Sequence, residues 1–247
     1  FDTVKAKADA IPILRDDLAR KVRPAFIGMG AMSDPYNPFE RELCLTGHAL
    51  DLIDAYQCGV AVATKSDLIV RDTERYRSIQ SHSPVICKIT ITTLDDRLAA
   101  KVEPGAPSPS RRLAAVEQLA KAGIFTGVLL MPVLPFLEDS EKNVAAVAAA
   151  AAGAGAAFVY AAFGVTLRDG QREYFYRALE RAFPGQELAK RYAAKYGMRY
   201  QCSSPKAGQL WKVFSQECRS AGLLCEMRHI ISAATRPYAD RQLTCFD

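Results

Sequence analysis

The chain has 247 residues, 49% of them hydrophobic and 24% charged, which is the balance of a globular fold able to bury a sizeable core, as one α/β domain or two small ones. Its formal charge is +5, from 32 basic against 27 acidic residues without a long single-sign block, so it tolerates an anionic partner but lacks the basic stripe of a dedicated nucleic-acid binder. The longest apolar run, Val144 to Ala152, is too short and alanine-rich to span a membrane; it reads as a surface helix, and no membrane partner is expected.

In chain order, Thr3 to Ala8 reads as a short strand. Ile11 to Lys21 carries Ile11, Leu14, Leu18 and Val22 at helical spacing. "PAFIGMG" is a buried strand ending at Gly30. "ERELCLTGHALDLIDAY" follows as one helix that turns Leu43, Ala49, Leu50 and Ile53 to a core, with Gly59 as its stop. "GVAVATKS" is the next strand and Asp67 to Ser78 a more polar helix.

After Pro84, "VICKITITT" is β-branched and reads as a strand. "SPSRRLAAVEQLAKAG" has a Ser cap, an early Pro and a Gly stop, the marks of a bounded helix. "IFTGVLLMPVLP" is a fourth strand. The alanine-rich helix, the strand "AAFVYAAFGV" and a long helix from Arg172 to Tyr196 complete the alternation. Apolar strands separated by crossover helices predict a parallel sheet with helices on its faces, as a partial barrel or an open sheet.

In such sheets ligands sit at the carboxyl ends of the strands, and polar groups gather there. The first strong strand ends in Met32, Ser33 and Asp34, the second in Thr64, Lys65, Ser66 and Asp67, and the third in Thr90, Thr92 and Thr93 before Asp95. Gly28, Gly30 and Ser33 only approach a dinucleotide fingerprint, because the third Gly is absent and Pro35 and Pro38 block the required helix start. Asp67 and Asp72 also serve as plain helix N-terminal residues. Lys65 is either a solvated strand-end lysine or a Schiff-base candidate.

His48, His82 and His229 show no zinc spacing with cysteine. Cys218 and Cys225 lie on or near an amphipathic helix and read as buried thiols. Seven cysteines (Cys44, Cys58, Cys87, Cys202, Cys218, Cys225 and Cys245) are an odd number without regular spacing. That usage suits a reducing compartment, so a cytoplasmic location is expected, and no leader is read ahead of Phe1.

The run "TITTLDDRLAAKVEPGAPSPSRRLAAVEQLAKAGIFTGVLLMPVLPFLED", with "GMGAMSDPYNPFERELCLT" and "ATKSDLIVRD", resembles the radical S-adenosylmethionine superfamily, in its spore photoproduct lyase-like (DNA repair photolyase-like) branch. A weaker echo lies in "YGMRYQCSSP" and "RQLTCFD". The resemblance implies an α/β fold, a partial (β/α)6 TIM-type barrel of parallel strands. Residues 1–200 would form this barrel and 201–247 a C-terminal helical extension packed on it.

It also implies a 4Fe-4S cluster held by a C-x-x-x-C-x-x-C loop, and S-adenosylmethionine bound at the open iron. The 5′-deoxyadenosyl radical released by reductive cleavage would abstract hydrogen from substrate. No such loop occurs in the sequence. The first strand and the cluster cysteines are therefore expected upstream of Phe1, and the chain without them is expected to be inactive.

Residue by residue, the resemblance places Ser33, Lys65 and Thr90 at the cofactor. Gly30, with Gly28, would let ligand groups approach the strand, and the Asp34-Pro35 turn would shape the rim. Ala31 and Met32 stand where spore photoproduct lyases carry a hydrogen-donating cysteine, and a thioether has no S–H to give. The expectation is a related enzyme with an unassigned substrate, a nucleic-acid lesion being one candidate, and a flavodoxin- or ferredoxin-type electron donor. The alternatives are a Schiff-base lyase using Lys65 and a non-catalytic barrel gripping nucleic acid through Arg111, Arg112 and Lys121.

Overall fold

The computed structural model describes residues 7–21 and 25–242. Helix α1 (Ala10–Arg20) precedes strand β1 (Phe26–Met29), and helices α2 (Glu40–Leu43) and α3 (Leu45–Ala55) lead to β2 (Gly59–Thr64). A 3-10 helix, Asp67–Asp72, and α4 (Thr73–Gln80) lead to β3 (Val85–Thr90). Helices α5 (Asp96–Val102) and α6 (Pro109–Lys121) precede β4 (Thr126–Leu130). Next come α7 (Glu141–Gly153), β5 (Phe158–Ala161), β6 (Gly164–Thr166), α8 (Gln171–Ala182) and α9 (Leu188–Tyr196). Strand β7 (Gln201–Ser203), α10 (Ala207–Ser220), α11 (Met227–Thr235) and a 3-10 turn, Arg236–Gln242, complete the order.

Strands β1 to β5 form one parallel sheet in sequence order. This is the expected α/β architecture, a partial TIM-like barrel, because each helical crossover returns the chain to the adjacent edge of the sheet. One face is covered by helices: Val60, Val62, Cys87, Ile89 and Val128 share a core with α3, α4, α6 and α7. On the other face Ala61, Ile86 and Phe158 pack against Ile230 and Ala234 of α11, which plugs the amino-terminal end of the sheet. Strands β6 and β7 pair antiparallel as a separate ribbon that runs across residue 200, and Leu210, Phe214 and Cys218 of α10 join the main core.

Several boundaries differ from the sequence expectation. The Thr3 to Ala8 strand falls mostly outside the described residues, and Lys7 and Ala8 are not in a strand. The single helix expected from Glu40 to Tyr56 is two, broken at Cys44, whose φ of 50° is left-handed. The Glu40 carboxylate accepts from the Thr46 N–H (3.0 Å) and so satisfies the start of α3. Leu43, just before the break, is 45% exposed rather than in the core. Gly59 opens β2 instead of stopping the helix; α3 ends at Ala55.

The polar helix from Asp67 starts as a 3-10 turn capped by the Ser66 hydroxyl, which accepts from the Leu68 N–H. The helix expected from Arg172 to Tyr196 breaks into α8 and α9 around Pro184 and Gly185, where Gly185 takes φ 78°. The strand expected through Val165 ends at Ala161, and Gly164 restarts the chain as β6 in the second sheet. The Val144 to Ala152 run is more than a surface helix, since Val144, Val147, Ala148 and Ala151 are buried. No helix among the described residues is long and apolar enough to cross a membrane.

Candidate functional site

The carboxyl ends of β2, β3 and β4 open into a cleft of about 360 Å³ lined by Lys65, Thr92, Glu103, Pro132, Leu134 and Glu138, with Phe175 of α8 as one wall. Lys65 follows β2 and places Nζ 3.7 Å from Glu103 Oε1. Glu103 in turn accepts from Arg112, whose side chain is 1% exposed and approaches Glu103 Oε2 at 2.6 Å. Arg112 also donates to the carbonyls of Thr90 (3.0 Å) and Pro107 (2.7 Å). It thereby fixes the end of β3 against the start of α6. A buried guanidinium needs this many acceptors.

Glu138 is almost fully buried at the end of the loop that follows β4. Its Oε1 accepts from the Thr92 hydroxyl (2.7 Å) and its Oε2 from the Leu134 N–H (2.9 Å). Burial pushes its carboxyl up to about 7; the Glu103 charge adds to the rise, while the two hydrogen bonds and Arg112 oppose it. The cleft therefore combines one ammonium, hydroxyl groups and two carboxylates of different character, Glu103 paired with two cations and Glu138 poised between protonation states. Such a group exchanges a proton near neutral pH.

The residues named from the sequence fare differently. Lys65 lies in the cleft, and Thr90 is buried one alternation below Thr92 on the same strand end. Asp34 clasps the rim: Oδ1 accepts from Thr64 Oγ1 (2.5 Å) and the Tyr36 N–H (2.9 Å), and Oδ2 from the Lys65 N–H (2.7 Å). It thus ties the end of β1 to the end of β2. Ser33 is exposed beyond that clasp and outside the cleft lining. Gly30 has φ 95°, and a Cβ there would collide with the Ala63 carbonyl, so the neighbouring strand fills the space the sequence reading gave to a ligand. At Gly28 a Cβ would meet nothing within 4 Å.

The nucleic-acid reading through Arg111, Arg112 and Lys121 loses one of its three residues, while Arg111 and Lys121 stay at the surface. Arg112 is buried, Arg111 pairs with Asp67 (2.6 Å) and Lys121 with Glu117 (2.5 Å). For the Schiff-base reading, Lys65 is in the cleft with Glu103 Oε1 3.7 Å from its Nζ. Asp72 is no plain helix-start residue: its buried carboxylate accepts from Tyr36, Arg71 and Arg75. Sequence reasoning missed Glu103 and Glu138. The signal for both was an acidic residue inside an otherwise apolar or turn segment, "KVEPG" and "LPFLED".

No protein-family model matches the chain. An uncharacterized protein of Mycobacterium tuberculosis is 32% identical over 198 residues, covering 79% of this chain and 57% of that protein. One from Methanocaldococcus jannaschii is 32% identical over 115 residues, 47% of this chain and 43% of that protein. Among solved structures, spore photoproduct lyase complexed with dinucleoside spore photoproduct aligns with a TM-score of 0.61 at 16% identity, over 87% of this chain and 64% of that one. A variant of the same lyase with bound AdoMet and the dinucleoside aligns at 0.60. The chain thus has the spore photoproduct lyase fold and spans roughly three fifths of the length of the mycobacterial protein and of the lyase.

Proposed function

We propose that the chain is the cofactor-binding body of a radical S-adenosylmethionine enzyme that abstracts hydrogen from its substrate. The observation that carries this reading is the convergence of Lys65, Thr92, Glu103 and Glu138 on one cleft at the carboxyl ends of three successive parallel strands, in a fold shared with an AdoMet-binding lyase. Ligands of parallel α/β sheets occupy this position.

S-adenosylmethionine carries a carboxylate, an amine, a sulfonium and ribose hydroxyls, and the donor set suits it. Lys65 would hold an anionic group, oriented by Glu103, which Arg112 fixes in turn. Glu138 and the Thr90 and Thr92 hydroxyls would take amine or ribose groups. Asp34 sets the distance between the first two strand ends, and Ser33 and Gly30 belong to the adjoining rim. Phe175 and Pro132 would exclude water from one side. When bound, the cofactor supplies the radical chemistry; these residues bind and orient it.

A 4Fe-4S cluster does not fit the described residues, among which no three His, Cys, Asp or Glu side chains are grouped to hold a metal. Its thiolates would come from the C-x-x-x-C-x-x-C loop that the resemblance implies, with a flavodoxin- or ferredoxin-type donor as partner. The test is calorimetric titration of S-adenosylmethionine into the chain and its Lys65→Met variant. Binding that weakens about tenfold or more in the variant is expected, the loss of one charged hydrogen bond. Absence of binding to the wild type, or equal binding to both, overturns the reading.

A further inference from the structure

Lys88 occupies the middle of β3. Its neighbours Cys87 and Ile89 face the helices and join the main core, whereas Ile86 packs on the other face against Phe158 and Ile230. Strict alternation along the strand then puts Ile86, Lys88 and Thr90 on the inner face, at rising heights toward the cleft. The residues in register on both sides are Ala63 in β2 and Gly127 in β4; on the Gly127 side the Phe158 ring of the same row lies over the glycine, and on the Ala63 side the lysine stem is flanked by a methyl group alone. One rung lower on β1, Gly28 borders open space.

The ammonium has no hydrogen bond or ion pair among the described residues. Both carboxylates of the cleft are engaged elsewhere, Glu103 with Lys65 and Arg112, and Glu138 with Thr92 and Leu134. The lysine is half-buried, and its loss of solvent disfavours the charged form. Below it lies the apolar plug of Ile86, Ile230 and Ala234, beside it Phe158; above it lies Thr90. The Lys88 donors therefore have no protein acceptor among the described residues, and an anion that reached them would replace the hydration lost on partial burial.

We propose that Lys88 is an oxyanion subsite that takes a phosphate or carboxylate of the substrate, inward of the cofactor position; this rests on the function proposed above. The test is an NMR titration of the chain and its Lys88→Met variant with inorganic phosphate, acetate and, separately, S-adenosylmethionine. Oxyanion affinity is expected to fall about tenfold or more in the variant, with S-adenosylmethionine affinity within about twofold. Whichever of phosphate and acetate is bound by wild type and lost in the variant names the source.

The subsite is overturned if wild type binds neither oxyanion, if the variant binds them unchanged, or if the variant loses S-adenosylmethionine along with them. Failure of the cofactor reading shows separately, as absent S-adenosylmethionine binding with the oxyanion response intact. Should the variant not fold, amine labelling of wild type decides. Phosphate or acetate is expected to protect Lys88 but not the exposed Lys142, and equal labelling with and without both anions overturns the proposal.

Discussion

Replacing Glu138 by Gln tests the electrostatics of the cleft without changing its shape. The carboxyl rises from its ordinary 4.5 to about 7 because burial disfavours the anion. The sign follows from proton binding: between these values the folded chain holds a proton that the unfolded chain has released. Stability contributed by the neutral acid is present below about pH 4.5 and is lost as pH rises through about 7. At about 1.4 kcal/mol per pH unit, the wild type loses about 3 kcal/mol across that window from this group alone.

Glutamine has no proton to lose. With its oxygen accepting from the Leu134 N–H and its amide donating to the Thr92 hydroxyl, both hydrogen bonds at Glu138 keep a partner. Glu138→Gln is expected to match wild type at pH 5 within about 1 kcal/mol and to exceed it by about 2 to 3 kcal/mol at pH 8. Urea denaturation at a series of pH values, compared as the difference between the two proteins, measures this directly. A difference that stays constant from pH 5 to 8 refutes the argument.

Gly30→Ala is expected to cost about 2 kcal/mol or more, since a methyl group meets the Ala63 carbonyl and the positive φ strains any L side chain. Gly28→Ala, where the methyl group meets nothing, should stay within about 1 kcal/mol of wild type in the same denaturation assay. Arg112→Met should destabilise by about 3 kcal/mol, because it strips a buried cation from Glu103 and from two carbonyls. Adding Glu103→Gln to Arg112→Met should recover part of that loss. A double variant less stable than the single one would contradict the pairing.

The sheet was legible because its strands are continuous apolar runs ended by Gly, Pro or clustered hydroxyls, and α6 because Ser108 caps it, with the Ser108 hydroxyl accepting from the Arg111 N–H, and Pro109 starts it. The break at Cys44 was not legible. It depends on Glu40, whose carboxylate serves both the Thr46 N–H and Arg71, a residue 31 positions away. The break between α8 and α9 was written in Pro184 and Gly185 and outweighed by the helical periodicity on either side. Of the site, Lys65 and the threonines could be read from strand ends. Glu138 could not, because its partner Thr92 lies 46 residues away and only the folded loop after β4 brings them together.

What separates scaffold from site in this chain is how completely each buried charge is matched. Beyond the helix-covered face, Asp72 accepts from Tyr36, Arg71 and Arg75, Tyr36 also bonds Tyr76 (2.7 Å), and Arg71 reaches Glu40 (2.7 Å). Every charge in that network is answered within the protein, which fixes the geometry of β1 and α4 and leaves no capacity for a ligand. Toward the cleft the matching is partial: Lys65 stands 3.7 Å from its carboxylate, and among the described residues Glu138 accepts two hydrogen bonds but touches no cation and Lys88 has no acceptor. Partly matched charges destabilise a fold unless something else completes them. On the function proposed above, a polar ligand would complete them, at the rim through Lys65 and Glu138 and at mid-strand through Lys88.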